Sequence, residues 1–171
     1  MTETFPAFFA QAPTLRVRDP LAQFLGAATD GVLEYHYADA VRLAGHSCPT
    51  VAGAYLLTRR GLRALYGDDL PERGNIAVQM RDARDRGTTG VIASIATLLT
   101  GAAAETGFGG IGPQGRFSRR DLLTFGAPIA GLMALTREDN GARVELELNA
   151  SIVPFPAEIQ TLMPKAVSGQ A

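Results

Sequence analysis

The chain has 171 residues, of which 46% are hydrophobic and 19% are charged, and its formal net charge is −1. This balance is typical of a folded protein and excludes general disorder, and the near-neutral charge gives no electrostatic reason to expect nucleic acid as a partner. No stretch approaches the roughly 18 consecutive apolar residues that a membrane-spanning helix needs, so we expect no membrane association. The length predicts one domain over residues 1–171, with a helical N-terminal extension at 1–30 and a core at about 31–160.

The first elements in chain order follow from local patterns. Residues 1–30 are expected to be mostly helical, with a helix start at Asp19-Pro20. Residues 31–37 are rich in β-branched and aromatic side chains and predict a strand, and residues 38–45 predict a short helical turn. The N-terminus has no basic segment before its short apolar run, so it does not resemble a signal peptide, and we expect a cytoplasmic protein.

Residues 49–66 give the clearest helix prediction. Apolar and small residues recur there at spacings of four and three: Val51, Tyr55, Thr58, Leu62 and Leu65. Pro49 suits the first helical position, so Cys48 is the expected N-cap, and Gly67 follows the last turn as a C-terminal glycine does.

The second half of the chain predicts two strands, a buried helix, a hairpin and a terminal helix. In order these are a strand at 74–80, a helix at 91–104 after a charged loop, a glycine-rich segment at 107–115, strand structure at 116–126, a hairpin at 128–150 and a short amphipathic helix at 156–171. Asp139-Asn140-Gly141 supplies the hairpin turn. The fold class is therefore expected to be α+β, with an antiparallel or mixed sheet packed against two central helices.

The tripeptide His46-Ser47-Cys48 holds the only cysteine and one of two histidines of the chain. In an extended segment residues i and i+2 point to the same side, so His46 and Cys48 can aim at one point. A helix N-terminus stabilises a thiolate, which is the form that binds metal or attacks carbon. The alternative is structural, because a lone cysteine is often a small buried hydrophobe.

A metal site needs more ligands than this pair, since a catalytic zinc usually takes three from the protein. His36 is the best further candidate by its chemistry, on the strand predicted at 31–37. Carboxylates are the remaining candidates: Glu34, Asp39, Asp82, Asp85 and Glu105.

Three other motifs favour structural interpretations. The glycines of 107–112 match a dinucleotide-binding spacing, but they follow a helix and precede a strand, which is the reverse of what that fingerprint needs. The Gly-Thr-Thr-Gly turn at 87–90 can bind an anion, but helix capping is the favoured interpretation. The run containing Arg116, Arg119 and Arg120 can clamp an acidic ligand, but a solvated face is the usual outcome.

The stretch Gly45-His46-Ser47-Cys48-Pro49 and the helix after it resemble the G-H-x-C-P signature of the FmdE-like proteins, a family named for one component of formylmethanofuran dehydrogenase. The order of a strand, a second buried helix and a glycine-rich segment is also similar, and the resemblance covers about residues 32–126.

The resemblance implies an α+β fold, a homodimer and a zinc ion or another divalent transition metal held by His46 and Cys48. The family often has another histidine at the position where this chain has Ala44. It also often has a cysteine in the segment that corresponds to residues 101–104, which is Gly-Ala-Ala-Ala in this chain. A metal would then need water, a substrate or an acid such as Glu105 to complete its shell.

Four functions remain open from the sequence. The first is an FmdE-like metal-binding protein, either a small enzyme or an accessory factor of an oxidoreductase-type metalloenzyme, with metal ligands His46, Cys48 and His36. The second is a metal-free reactive thiol with a histidine as base. The third is a haem-binding or small-ligand module that uses Cys48. The fourth is an interaction protein in which the motif only begins a helix.

Overall fold

Two β-sheets and five α-helices make up the part of the chain that our computed structural model describes, residues 4–154 and 156–170. The strands are β1 (Leu15–Arg18), β2 (Val32–Tyr35), β3 (Ile76–Met80), β4 (Leu123–Thr124), β5 (Met133–Arg137) and β6 (Arg143–Leu146). The helices are α1 (Pro20–Phe24), α2 (Tyr37–Ala44), α3 (Pro49–Tyr66), α4 (Thr89–Thr100) and α5 (Ala157–Val167). Short 3₁₀ turns lie at Ala7–Gln11 and Ala150–Ile152.

The main sheet is mixed, which confirms the predicted α+β class. Its strand order is β4-β3-β5-β6, with β3 parallel to β4 and antiparallel to β5, and with β5 antiparallel to β6. Helices α3 and α4 pack against each other and against this sheet, as expected for the two central helices. Val78 of β3 and Leu135 of β5 are register partners with no exposed surface, so the core lies between the sheet and these helices.

Helix α3 begins at Pro49 and ends at Tyr66, and Cys48 and Gly67 are its cap residues, all as predicted. The predicted inner face is confirmed, since four of its five members are fully buried and the last is half-buried: Val51, Tyr55, Thr58, Leu62 and Leu65. The Tyr55 hydroxyl donates to the carbonyl oxygens of Pro13 (2.8 Å) and Tyr35 (3.0 Å), which ties α3 to strand β2 and to the residues just before β1.

The segment before residue 31 differs from the helical expectation. Strand β1 pairs antiparallel with β2, from Leu15 opposite Tyr35 to Arg18 opposite Val32. Its side chains alternate between buried and exposed, with Leu15 and Val17 buried, which is the period of a strand and not of a helix. The helix start at Asp19-Pro20 is confirmed, but the helix that follows is only five residues long.

The expected strand structure at 116–126 is wrong for most of its length. Only Leu123–Thr124 forms a strand, and Phe117 and Asp121 have φ values of 65° and 62°. Left-handed backbone at non-glycine residues breaks a strand, so this segment is a loop that crosses the end of α4. The predicted hairpin is confirmed as β5 and β6, with Gly141 at a φ of 73° in the turn.

Helix α5 carries no buried residue, and Leu162 and Met163 are more than half exposed. Across the described residues no helix is long and apolar enough to cross a membrane.

Candidate functional site

The segment His46–Cys48 joins the end of α2 to the beginning of α3. Gly45 ends α2 in the left-handed conformation (φ 75°), and Cys48 is extended (φ −152°, ψ 170°) immediately before Pro49. The hydroxyls of Ser47 and Tyr37 share a hydrogen bond of 2.8 Å, which ties the middle of the segment to the first residue of α2. The segment is therefore held at both ends and at its centre.

His46 is exposed, and its ring is oriented by one backbone contact. Its Nδ1 lies 2.9 Å from the carbonyl oxygen of Ala44. Because a carbonyl can only accept, this contact assigns the proton to Nδ1 and leaves the lone pair of the neutral ring on Nε2. The same arrangement, with one ring nitrogen donating to a carbonyl, is usual for histidines that bind metal through the other nitrogen.

Cys48 is half-buried and is an unpaired thiol. Burial raises the pKa of this thiol. The backbone N–H of Val51, the ring of His46 and the first turn at Thr50 together lower the pKa by a larger amount, so it lies below the ordinary value. The positive end of an 18-residue helix acts in the same direction.

The two side chains affect each other in opposite directions. The pKa of His46 is raised, first by the Ala44 carbonyl and then by the neighbouring Cys48 thiol. A thiolate and an imidazolium that stabilise each other form the pair that nucleophilic cysteines use, and the same two donors bind a soft divalent metal once the ring has lost its proton.

An open cleft of about 430 Å³ lies beside His46, between α2 and the N-terminal half of α4. Val91 and Ser94 are exposed positions on α4, and both line this cleft, so the helix predicted to be buried has one accessible edge. Gly87 and Gly90 of the turn at 87–90 also line the cleft. Thr88 of this turn is the N-cap residue of α4, as the favoured interpretation expected, although its side chain makes no cap hydrogen bond. Arg84 and Asp85 supply charge to the cleft.

His36 lies apart from the pair, at the other end of α2. It is the N-cap of that helix and not a strand residue, and its backbone N–H donates to Asp39 Oδ2 at 2.7 Å. Its Nε2 lies 3.2 Å from Glu34 Oε1. Because α2 has eight residues, its two ends are about 12 Å apart. The structure therefore does not bring His36 to His46 and Cys48.

Four of the five candidate carboxylates contact other side chains, Glu34 among them, and the fifth, Asp85, lines the cleft beside His46. Both oxygens of Glu105 accept from Arg84, each at 3.1 Å, and Asp39 accepts from Arg42 at 2.6 Å. Asp82 lies 3.6 Å from Arg81. Within residues 4–154 and 156–170, no group of three or more His, Cys, Asp or Glu side chains is arranged to hold a metal ion. The chain thus offers His46 and Cys48 as a two-donor centre beside a cleft.

Comparisons of the chain with protein-family models, with curated proteins and with solved structures give no match. The FmdE-like resemblance carried by residues 45–49 therefore stays a prediction.

Proposed function

We propose that this protein is an FmdE-like metal-binding protein in which His46 Nε2 and Cys48 Sγ hold a zinc-type divalent transition metal. The observation that carries the proposal is the state of the two donors. The Ala44 carbonyl orients the His46 ring with the lone pair of the neutral ring on Nε2, and the start of α3 lowers the pKa of the Cys48 thiol. Nitrogen and thiolate donors suit zinc and its neighbours in the transition series.

The two donors supply only part of the ligand shell that a metal ion needs. They occupy half of a tetrahedral shell, so water or a bound small molecule would fill the rest. The cleft next to His46 offers a route and a volume of about 430 Å³ for such a molecule. A bound ion would supply Lewis acidity there, which serves a small enzyme or an accessory factor of an oxidoreductase equally.

The chain's own residues then have defined tasks. The Ala44 carbonyl holds the ring of His46, and the hydrogen bond between the Tyr37 and Ser47 hydroxyls ties the segment to the first residue of α2. Arg84 and Asp85 line the cleft and would orient a polar ligand.

The proposal includes a homodimer in the cytoplasm. The resemblance implies the dimer, and a cytoplasmic environment, in which thiols stay reduced, suits an unpaired thiolate at Cys48. A small molecule is the expected ligand, and neither nucleic acid nor a membrane is expected as a partner.

A metal-free reactive thiol is the second candidate function. It is favoured by the number of donors, since the described residues bring only His46 and Cys48 together and no third ligand. In this case Cys48 is the nucleophile and His46 stabilises its thiolate.

Metal content separates the two candidates. Untagged protein is stripped with a chelator, incubated with zinc, passed through a desalting column and analysed for bound metal, alongside Cys48→Ser, His46→Ala and His36→Gln. The proposal predicts about one zinc per chain in the wild type and in His36→Gln, and loss of zinc in the other two variants. Wild-type protein without zinc overturns the metal proposal, and rapid alkylation of Cys48 in that protein would establish the thiol function instead.

A further inference from the structure

A second cleft, of about 360 Å³, lies at the opposite end of α4 from His46. Three arginines line it, together with Asn75 and Phe117: Arg73, Arg116 and Arg119. It is separate from the first cleft, because α4 has twelve residues and is about 18 Å long. The proposed metal centre does not involve these three arginines.

Arg119 is buried, which corrects the expectation that its arginine run forms a solvated face. Only 7% of this residue is exposed. Its Nη2 donates to Asp19 Oδ1 at 2.6 Å, and its Nε is buried without a hydrogen-bond partner among the described residues. A buried guanidinium with an unused donor is a group that a further acceptor would stabilise.

Asp19 is shared between two arginines. Its other oxygen accepts from Arg73 Nη1 at 2.8 Å, and Arg73 also donates to the carbonyl oxygen of Leu98 in the last turn of α4. Arg73 therefore has a carbonyl acceptor on α4 in addition to Asp19, whereas the ion-pair partner of Arg119 is Asp19. Glu72 lines the exposed rim, so three arginines face two carboxylates and the cleft has a surplus of positive charge.

The backbone around the cleft is shaped to place these arginines. Gly74 has a φ of 93°, and a Cβ at that position would overlap with the guanidinium of Arg119. Phe117 has left-handed backbone (φ 65°), an uncommon conformation for an aromatic residue. The centroid of its ring lies 4.6 Å from the guanidinium carbon of Arg116, and this contact holds the Arg116 side chain at the rim. Left-handed backbone at bulky residues is concentrated at ligand-binding sites.

We propose that this cleft binds a small molecule through a carboxylate or phosphate group. Arg116 at the rim and Arg119 on the buried side would both donate to the anion, since planar guanidinium groups match such oxygens in pairs. The volume suits a ligand of metabolite size. This site goes beyond the proposed metal centre and does not depend on it.

Thermal unfolding with added anions tests the proposal. Arg116→Gln is the informative variant, because the side-chain contacts of Arg116 are with aromatic rings and not with Asp19. Arg120→Gln is the matched control, since Arg120 lies outside the cleft and donates to the Gly107 carbonyl. Wild type and both variants are titrated with sodium phosphate, sodium succinate and, at matched ionic strength, sodium chloride.

The expected result is a rise in the unfolding midpoint of the wild type and of Arg120→Gln with phosphate or succinate, beyond that with chloride. Arg116→Gln should need roughly tenfold more anion for the same rise. A response to phosphate alone identifies a phosphate ligand, and a response to succinate alone identifies a carboxylate. No response beyond chloride in the wild type, or equal responses in all three proteins, overturns the proposal.

Discussion

Asp19 and Arg119 are 100 residues apart in the sequence, and their side chains meet at 2.6 Å in the interior. Asp19 caps α1 by accepting from the backbone N–H groups of Leu21 and Ala22, and it also accepts from Arg73. One carboxylate therefore joins three segments of the chain: the first helix, the loop before β3 and the loop after α4.

Asp19→Asn should destabilise the protein. Asparagine keeps an acceptor for the cap, so the change isolates the loss of negative charge between two arginines. Removing one partner of a buried ion pair typically costs about 3–5 kcal/mol, and we expect a loss of that size in the free energy of unfolding measured in urea. Asp30→Asn is the control, because Asp30 is exposed and, like Asp19, accepts a hydrogen bond from the backbone N–H two residues further along the chain. A loss below about 1 kcal/mol in Asp19→Asn would contradict this role.

The same carboxylate predicts sensitivity to acid. Burial raises the pKa of Asp19, but Arg73 and Arg119 lower it by a larger amount, so the folded-state pKa lies below the ordinary value for an aspartate. A depressed carboxyl pKa contributes stability that is present above the unfolded pKa and is lost as the pH falls through the folded pKa. The wild type should therefore lose stability below about pH 4 more steeply than Asp19→Asn. Unfolding in urea between pH 5 and the lowest pH that keeps the protein soluble measures both slopes, and equal slopes would refute the assignment.

Gly74→Ala should be more damaging than an ordinary substitution at a positive φ. The new Cβ overlaps with the Arg119 guanidinium, so Arg119 must move away from Asp19. We expect a loss of about 3 kcal/mol or more, from backbone strain together with the disrupted ion pair. Gly45→Ala is the matched control, because Gly45 has a φ of 75° with open space around it, and it should cost about 1–2 kcal/mol. Equal losses in urea unfolding would show that Arg119 does not occupy this space.

The Cys48 thiol should be alkylated at lower pH than an ordinary cysteine. Its lowered pKa predicts a midpoint of the iodoacetamide rate below the ordinary value of about 8.5. His46→Ala removes one cause of the lowered pKa and should move the midpoint upward, whereas His36→Ala should leave it unchanged, since His36 lies at the far end of α2. A midpoint that responds equally to both variants would contradict the assignment of His46 as the partner.

Elements specified by local chemistry were predictable from the sequence. Helix α3 has an apolar face at helical spacing, a proline at its first position and a glycine after its last turn, and all three lie within 20 residues. The hairpin turn at Gly141 is equally local. Strand β1 was not predicted, and β4 was predicted with bounds that are far too wide. Four and two residues carry too little periodicity, and both strands are stabilised by pairing with distant strands.

The candidate site divides in the same way. Cys48 as the N-cap and its approach to His46 follow from neighbouring residues. His36 lies away from the pair because α2 is helical and separates the two. His36 is the N-cap of that helix, so it is not part of the predicted strand. The burial of Arg119 was not predictable, since its partner Asp19 lies in another part of the chain and nothing in the local run distinguishes it from Arg120.

The most direct test of the metal centre is anomalous scattering from crystals grown with zinc and measured on both sides of the zinc absorption edge. We predict a peak about 2.0–2.1 Å from His46 Nε2 and about 2.3 Å from Cys48 Sγ. Absence of a peak between these two atoms, with the protein otherwise folded as described, would contradict the proposed function.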